Sequence, residues 1–334
     1  MNKTPMKMLF ISLLIFSTLI SISANNWLGV WMGLEINLLM FMPLIIHSSP
    51  QYLSFSGIKY FIVQSVASVV LLMSIMKMMI NDSTYNHYEI MILMSSLMMS
   101  VGAAPFHFWF PEIMEQLTWN NCIIIMTWQK IAPMLILSYI LPNKGIVMFI
   151  IMSAVIGAIL GLNQISLRLM LAYSSINHMG WMLAALQYSN MIWLLYFSVY
   201  SFITILIINI FKANNIFMLN EIFMSKNSIK LNKLSLLLTM LSLGGMPPLL
   251  GFLPKWMLIQ ELMMNSSYLM VIVLIISSTV TLYFYMKLFF SASLTSFKEN
   301  KWNNNFVLTS SESLALYLHI VSTLGLTLSM LILY

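Results

Sequence analysis

Ser100-Val-Gly102-Ala-Ala-Pro105, followed by Phe110-Pro111-Glu112, returns later in the chain as Ser242-Leu-Gly244-Gly245-Met-Pro247-Pro248, followed by Leu253-Pro254-Lys255. Both copies sit inside apolar stretches of membrane-spanning length. Proline removes a backbone donor and clashes with the preceding helical turn, and glycine lets the chain leave helical geometry, so each copy is expected to interrupt a spanning helix. Unwound backbone survives at membrane depth only when it is buried in protein or lines a wet cavity. A matched pair of such breaks in corresponding halves of one chain points to an ion-translocating fold built from internal repeats.

The composition agrees. Of 334 residues, 60% are hydrophobic and 7% are charged, against about 25% charged in a soluble domain. Mean hydropathy is +0.91, as for an integral membrane protein. The single Cys122 excludes an internal disulfide, a CxxC redox pair and a cysteine-ligated iron–sulfur cluster supplied by this chain alone. No GxGxxG, GxxxxGK[ST] or HExxH run occurs, which leaves nucleotide, phosphate and zinc chemistry without a visible site. The net charge of +6 comes from lysines scattered over connectors, not from a basic face, and points to a membrane surface in place of nucleic acid. The 33 Met, with abundant Ile, Leu, Phe, Asn, Ser and Tyr, match the bias of an AT-rich organelle genome. Lys3 and Lys7 before an apolar run imitate a signal peptide, but no convincing small-residue cleavage site precedes Asn25, and the run is expected to be the first span.

Stretches of about 20 apolar residues predict eleven spans, at 6–24, 26–47, 59–80, 89–109, 121–141, 145–163, 170–188, 190–211, 234–258, 266–291 and 313–333. The expected organisation is one all-α transmembrane domain over 1–334, with repeat halves 1–141 and 145–291 and a final helix 313–333. Ten of the basic residues fall on the side of the N-terminus, against Lys77 and Lys144 on the other. The positive-inside rule then puts the N-terminus in the matrix or cytoplasm and the C-terminus on the opposite face.

Charge at membrane depth costs about 2.5–3.5 kcal/mol on insertion scales and usually marks function. Glu35 lies mid-span in Trp31-Met-Gly-Leu-Glu35-Ile-Asn37, Lys130 in Thr127-Trp-Gln-Lys130-Ile-Ala-Pro133, and His178 in Ala172-Tyr-Ser-Ser-Ile-Asn-His178-Met-Gly-Trp181. Lys255 follows the second break and His107 the first. Plainer readings stand beside these. Glu35 could pair structurally with a neighbouring helix, Lys255 could snorkel, and either histidine could be a satisfied core group. Lys59, Lys77 and Lys287 read as snorkelling residues, and Glu112 and Glu115 as facing water. An offset of 142 carries Ser100, Gly102 and Pro105 onto Ser242, Gly244 and Pro247. An offset of 143 carries Pro111 onto Pro254 and Glu35 onto His178.

These motifs, together with Ala104-Pro-Phe-His-Phe-Trp109 and Leu243-Gly-Gly-Met-Pro-Pro248, resemble over nearly the whole chain the chain 2 family of animal mitochondrial NADH:ubiquinone oxidoreductase, respiratory complex I. The resemblance implies an antiporter-like fold of two inverted five-helix repeats with a discontinuous helix in each, shortened by three N-terminal helices, in the mitochondrial inner membrane. It implies proton translocation coupled to electron transfer in other subunits, where FMN, the iron–sulfur clusters and ubiquinone are expected; no cofactor is expected on this chain. Implied partners are other membrane-arm subunits, chiefly the chain 4 and chain 4L neighbours and the lateral helix of chain 5, and lipids including cardiolipin. On matching positions Glu35 is the tuned carboxylate, Lys130 the central proton-carrying lysine, Lys255 the exit-side lysine, and His178 a lining group on the polar axis joining them. One position departs: the family usually has a lysine just before the first break, and this chain has Ser100. Burial disfavours the charged form of any ionisable group and an approaching opposite charge restores it, so groups poised in this way can pass protons when a neighbour's charge moves. A stand-alone sodium or potassium/proton antiporter and a purely structural membrane-arm subunit share these features, and remain as alternatives.

Overall fold

In the computed structural model, residues 3–46, 52–80, 87–142, 145–219, 221 and 230–295 are described. The expected last span, 313–333, lies outside them, as does part of the connectors 212–233 and 292–312. A bilayer offers no partner to backbone polar groups, so apolar runs of this length close their hydrogen bonds within helices. The helices are α1 Lys3–Ser23, α2 Trp27–Ile46, α3 Tyr52–Ile80, α4 His87–Val101, α5 Trp109–Gln116, α6 Trp119–Met126, α7 Trp128–Ser138, α8 Ile146–Gly161, α9 Leu167–Tyr188, α10 Asn190–Ala213, α11 Lys230–Gly244, α12 Phe252–Met264 and α13 Tyr268–Thr295. The described residues contain no sheet; a single bridge joins Ser166 to Met218 beside α9.

Among the described residues, six helical runs are long and apolar enough to cross a membrane: Pro5–Ser23, Trp27–Ile46, Phe55–Ile80, Trp119–Ser138, Asn190–Ala213 and Tyr268–Phe290. Helix α9 is long enough but carries Ser174, Ser175, Asn177 and His178. Nearly its whole length is buried by other helices, which is why it tolerates polar groups that a lipid-facing helix would not. Serines inside the spans satisfy themselves by bonding back along their own helix, as Ser17 does to the Leu14 carbonyl and Ser74 to that of Leu71.

Two of the predicted spans are divided. The stretch 89–109 holds α4 and an unwound turn and ends on Trp109, the first residue of α5, and 234–258 holds α11, an unwound turn and the first half of α12, as the Gly/Pro pattern requires. A third division lacks the paired glycine and proline of the other two. The expected span 121–141 is interrupted at Thr127, where φ is −114° and ψ −71°. Thr127 Oγ1 donates to the Ile123 carbonyl at 2.7 Å, and Pro133 supplies no N–H to the Gln129 carbonyl one turn back. The Lys130 N–H instead closes a tight turn on the Thr127 carbonyl at 3.3 Å.

The chain divides into two compact units, Met1–Ser153 and Ala154–Tyr334. In the first, α2 packs on α3, α3 on α4 and α5, and α4 on α7; in the second, α9 packs on α10, α10 on α11 and α12, and α11 on α13. These four pairings follow the same order in both units. Close helix crossings use small residues in both: a Cβ on Gly33 would meet the Ser21 backbone at 2.7 Å, and one on Gly157 would meet the Asn177 nitrogen at 2.5 Å.

Candidate functional site

Each unwound turn starts from the same hydrogen-bonded end. In the first unit the Ala103 N–H bonds the Met98 carbonyl and the Gly102 N–H that of Met99; in the second, Met246 bonds Leu241 and Gly245 bonds Ser242. This is a Schellman cap, whose closing residue must be left-handed. Gly102 has φ +78° and Gly245 φ +86°. The register of the two breaks is therefore 143 throughout, matching Pro111 and Pro254. The offset of 142 paired Gly102 with Gly244, which is the last helical residue, and Ser100 with Ser242; on the observed geometry Ser100 corresponds to Leu243. The Gly-Gly pair made both glycines equally plausible, and the handedness of the cap selects the second. Pro105, Pro247 and Pro248 stand exposed on the unwound turns.

A cap of this kind leaves carbonyls at the helix end that need donors. In the first unit they come from neutral groups: Gln64 Nε2 donates to the Ser100 carbonyl at 2.9 Å and Trp109 Nε1 to that of Met99 at 3.2 Å. In the second unit Lys255 Nζ donates to the Gly244 carbonyl at 2.8 Å. Lys255 is 5% exposed, and its Nζ lies 5.6 Å from the centre of the Trp181 ring.

Glu35 and Ser100 share one cavity of about 30 Å³ in the first unit, with Asn37, Tyr60, Gln64 and Gln129 also on its wall. The Glu35 Oε2 atom is buried and meets no protein donor there. Gln129 Nε2 donates to Asn37 Oδ1 at 3.1 Å, which ties α7 to α2. Lys130, the next residue, is 2% exposed, with its Nζ 5.3 Å from the centre of the Phe110 ring. Glu112 occupies the position matching Lys255 but points outward, where it forms an ion pair with Lys59. Lys59 is thus paired in place of simply snorkelling, and both Glu112 and Glu115 are exposed.

In the second unit His178 Nδ1 and the Tyr196 hydroxyl are 2.8 Å apart, and the Tyr200 ring lies 5.2 Å from that of His178. These three, with Ser242, Gly251 and Pro254, line a cavity of about 10 Å³. A Cβ on Gly251 would fall 1.8 Å from the Ser242 carbonyl oxygen, so the fold-back of this break requires glycine there. His107 is 2% exposed; its contacts are local, Nδ1 to the Pro105 carbonyl at 3.2 Å and its ring against Phe108.

The structure therefore gathers Glu35 with Ser100 around one cavity and places His178 beside the second break, whose lysine closes it. His107 joins neither cavity. Sequence reasoning assigned nothing to Gln64, Asn37, Gln129 or Tyr196. Asn37 and Gln129 stood inside motifs already singled out, and a buried amide within an apolar span was the available signal. Among the described residues, no three of His, Cys, Asp and Glu gather as a metal site would need.

The chain matches the NADH:quinone oxidoreductase/Mrp antiporter transmembrane family over residues 24–281. It is 43% identical to NADH-ubiquinone oxidoreductase chain 2 of Locusta migratoria over 98% of this chain and 96% of that protein. It is also 43% identical to the protein of the same name in Anopheles gambiae, over 96% of each. Among solved structures it is similar to a chain of respiratory complex I from Thermus thermophilus with bound aureothin. There the TM-score is 0.81 at 20% identity, over 97% of this chain and 78% of that one.

Proposed function

Because the chain belongs to the NADH-ubiquinone oxidoreductase chain 2 family, within the NADH:quinone oxidoreductase/Mrp antiporter transmembrane proteins, we propose that its two helix breaks and their buried polar groups form a proton relay. The protein is a proton-translocating membrane-arm subunit of respiratory complex I, multi-pass in the mitochondrial inner membrane. The finer reading has eleven spans in two inverted repeats, with the N-terminus in the matrix and the C-terminus in the intermembrane space. The redox cofactors, FMN, iron–sulfur clusters and ubiquinone, belong to other subunits. Chains 4, 4L and 5 are its neighbours and cardiolipin is among its lipids.

The observation that carries the relay is the pair of lysines enclosed within the apolar helices, Lys130 and Lys255, each set against an aromatic face. Ammonium groups at that depth oppose insertion, and their presence calls for a task that needs a titratable cation. Lys130 carries the proton in the first unit, with Glu35 setting the local field from its polar cavity. In the second, Lys255 delivers it at the break, with His178 and its Tyr196 partner lining the approach. His107 has the weakest support, its contacts being confined to its own turn.

The test is Lys130→Ala in the assembled complex. Coupled proton output should fall about tenfold or more, as for loss of a charge-assisted interaction, while assembly persists. A complex that pumps normally with this change would remove Lys130 from the relay and favour the structural reading.

A further inference from the structure

We propose that the Gln129–Asn37 amide pair, together with Gln64, anchors a two-water cluster on the Glu35 carboxyl, which makes Gln129 a positioning residue for proton movement in the first unit. The proposal rests on the relay reading above. A single water needs about 10–15 Å³ and two to four polar partners. The cavity beside Glu35 offers about 30 Å³, and its wall includes the polar residues Glu35, Asn37, Tyr60, Gln64, Ser100 and Gln129. That is room and bonding capacity for two waters. Two of the amides are held in place by other residues of the wall: Gln129 by its bond to Asn37, which is 4% exposed, and Gln64 by its bond to the helix-end carbonyl of Ser100. Glu35 Oε2, buried and without a protein donor, is the group that such waters would serve.

The chemistry of the wall matters as much as its size. No lysine, arginine or histidine lines this cavity. An amide donates and accepts hydrogen bonds but neither releases nor captures a proton near neutral pH. It therefore orients water beside Glu35 without competing for the proton. Gln129 directly precedes Lys130, so the rotamer of the amide and the start of the lysine's turn at Thr127 are fixed by the same short helix, α7. A disturbance of the water cluster is thereby transmitted to the segment that carries Lys130.

The experiment uses complete complex I carrying Gln129→Met, with Glu35→Gln as the reference. Infrared difference spectra assign the Glu35 carboxyl band through its loss in Glu35→Gln. Gln129→Met should shift that band, slow coupled NADH oxidation about two- to tenfold, as for one lost hydrogen bond, and raise the solvent deuterium isotope effect. A water-resolving density map of the unmodified complex should show two waters bonded to Glu35 and the Gln129 amide, and this measurement decides even where the variant does not assemble. If Glu35→Gln impairs turnover while Gln129→Met leaves the rate, isotope effect and band unchanged, or if the map shows no water there, this proposal fails alone. If Glu35→Gln itself leaves proton output unchanged, the relay reading fails, whatever the waters do.

Discussion

The two breaks share a backbone and differ in what closes them. Both end a helix with the same Schellman cap and the same left-handed glycine. The first is closed by a glutamine and a tryptophan, the second by a lysine. At the position matching that lysine the first unit has Glu112, turned outward to Lys59. One fold element thus serves two electrostatic settings. In the first unit the ionisable groups stand beside the break, Glu35 in a cavity and Lys130 on a neighbouring helix; in the second, the cation is part of the break itself.

The most damaging way to probe that difference is Lys255→Ala. It removes the donor to the Gly244 carbonyl, a charge-assisted bond of about 1.5–3 kcal/mol, so coupled proton output should fall about tenfold or more and the thermal midpoint of the complex should drop as well. Retained proton output with a lowered midpoint would mean that the lysine serves only to close the break. Next come the glycines. Gly102→Ala and Gly245→Ala each force a left-handed alanine, at about 1–2 kcal/mol, but their surroundings separate them. The new Cβ at 102 meets the Trp109 ring at 3.1 Å and Phe110 at 3.2 Å, whereas at 245 it meets the end of the Lys255 side chain at 2.9 Å. Gly102→Ala should chiefly lower the yield of assembled complex, and Gly245→Ala should chiefly lower proton output. The reverse pattern, read by native gel and by pumping assay, would undo the distinction between a neutral and a charged break.

Gln64→Leu should strand the Ser100 carbonyl at about 1–3 kcal/mol, visible as a lower unfolding temperature. No change there would show that Trp109 suffices to close the first break. The smallest effect is expected from Glu112→Gln. The Lys59–Glu112 pair is about half exposed, with side-chain exposures of 38% and 52%, so its loss should cost no more than about 1 kcal/mol. A larger loss would make it a true counterpart of the Lys255 closure.

Much of this was legible in the sequence because bilayer physics reduces apolar length to helix, and Gly-x-x-Pro within such a helix to a break. The deeply buried lysines announced themselves by their cost. Three things were not legible. The exact pairing of the breaks depended on which of Gly244 and Gly245 takes the left-handed position, a choice made by cap geometry and not by composition. The interruption at Thr127 came from a threonine hydroxyl bonding back along its own helix, a habit shared by many hydroxyls here that leave their helices intact. The amides of Asn37, Gln64 and Gln129 acquire meaning only once three separate helices converge on Glu35.

The bond from Lys255 to a backbone carbonyl also bears on leakage. A carboxylate in that place could take the proton and hand it back, so that charge would shuttle between two side chains without net travel. A peptide oxygen stabilises the ammonium by its dipole yet has no affinity for the proton itself at ordinary pH. On the proposed relay, a proton given up by Lys255 would therefore have to go to a third party, and the break would act as a holder that cannot become a sink.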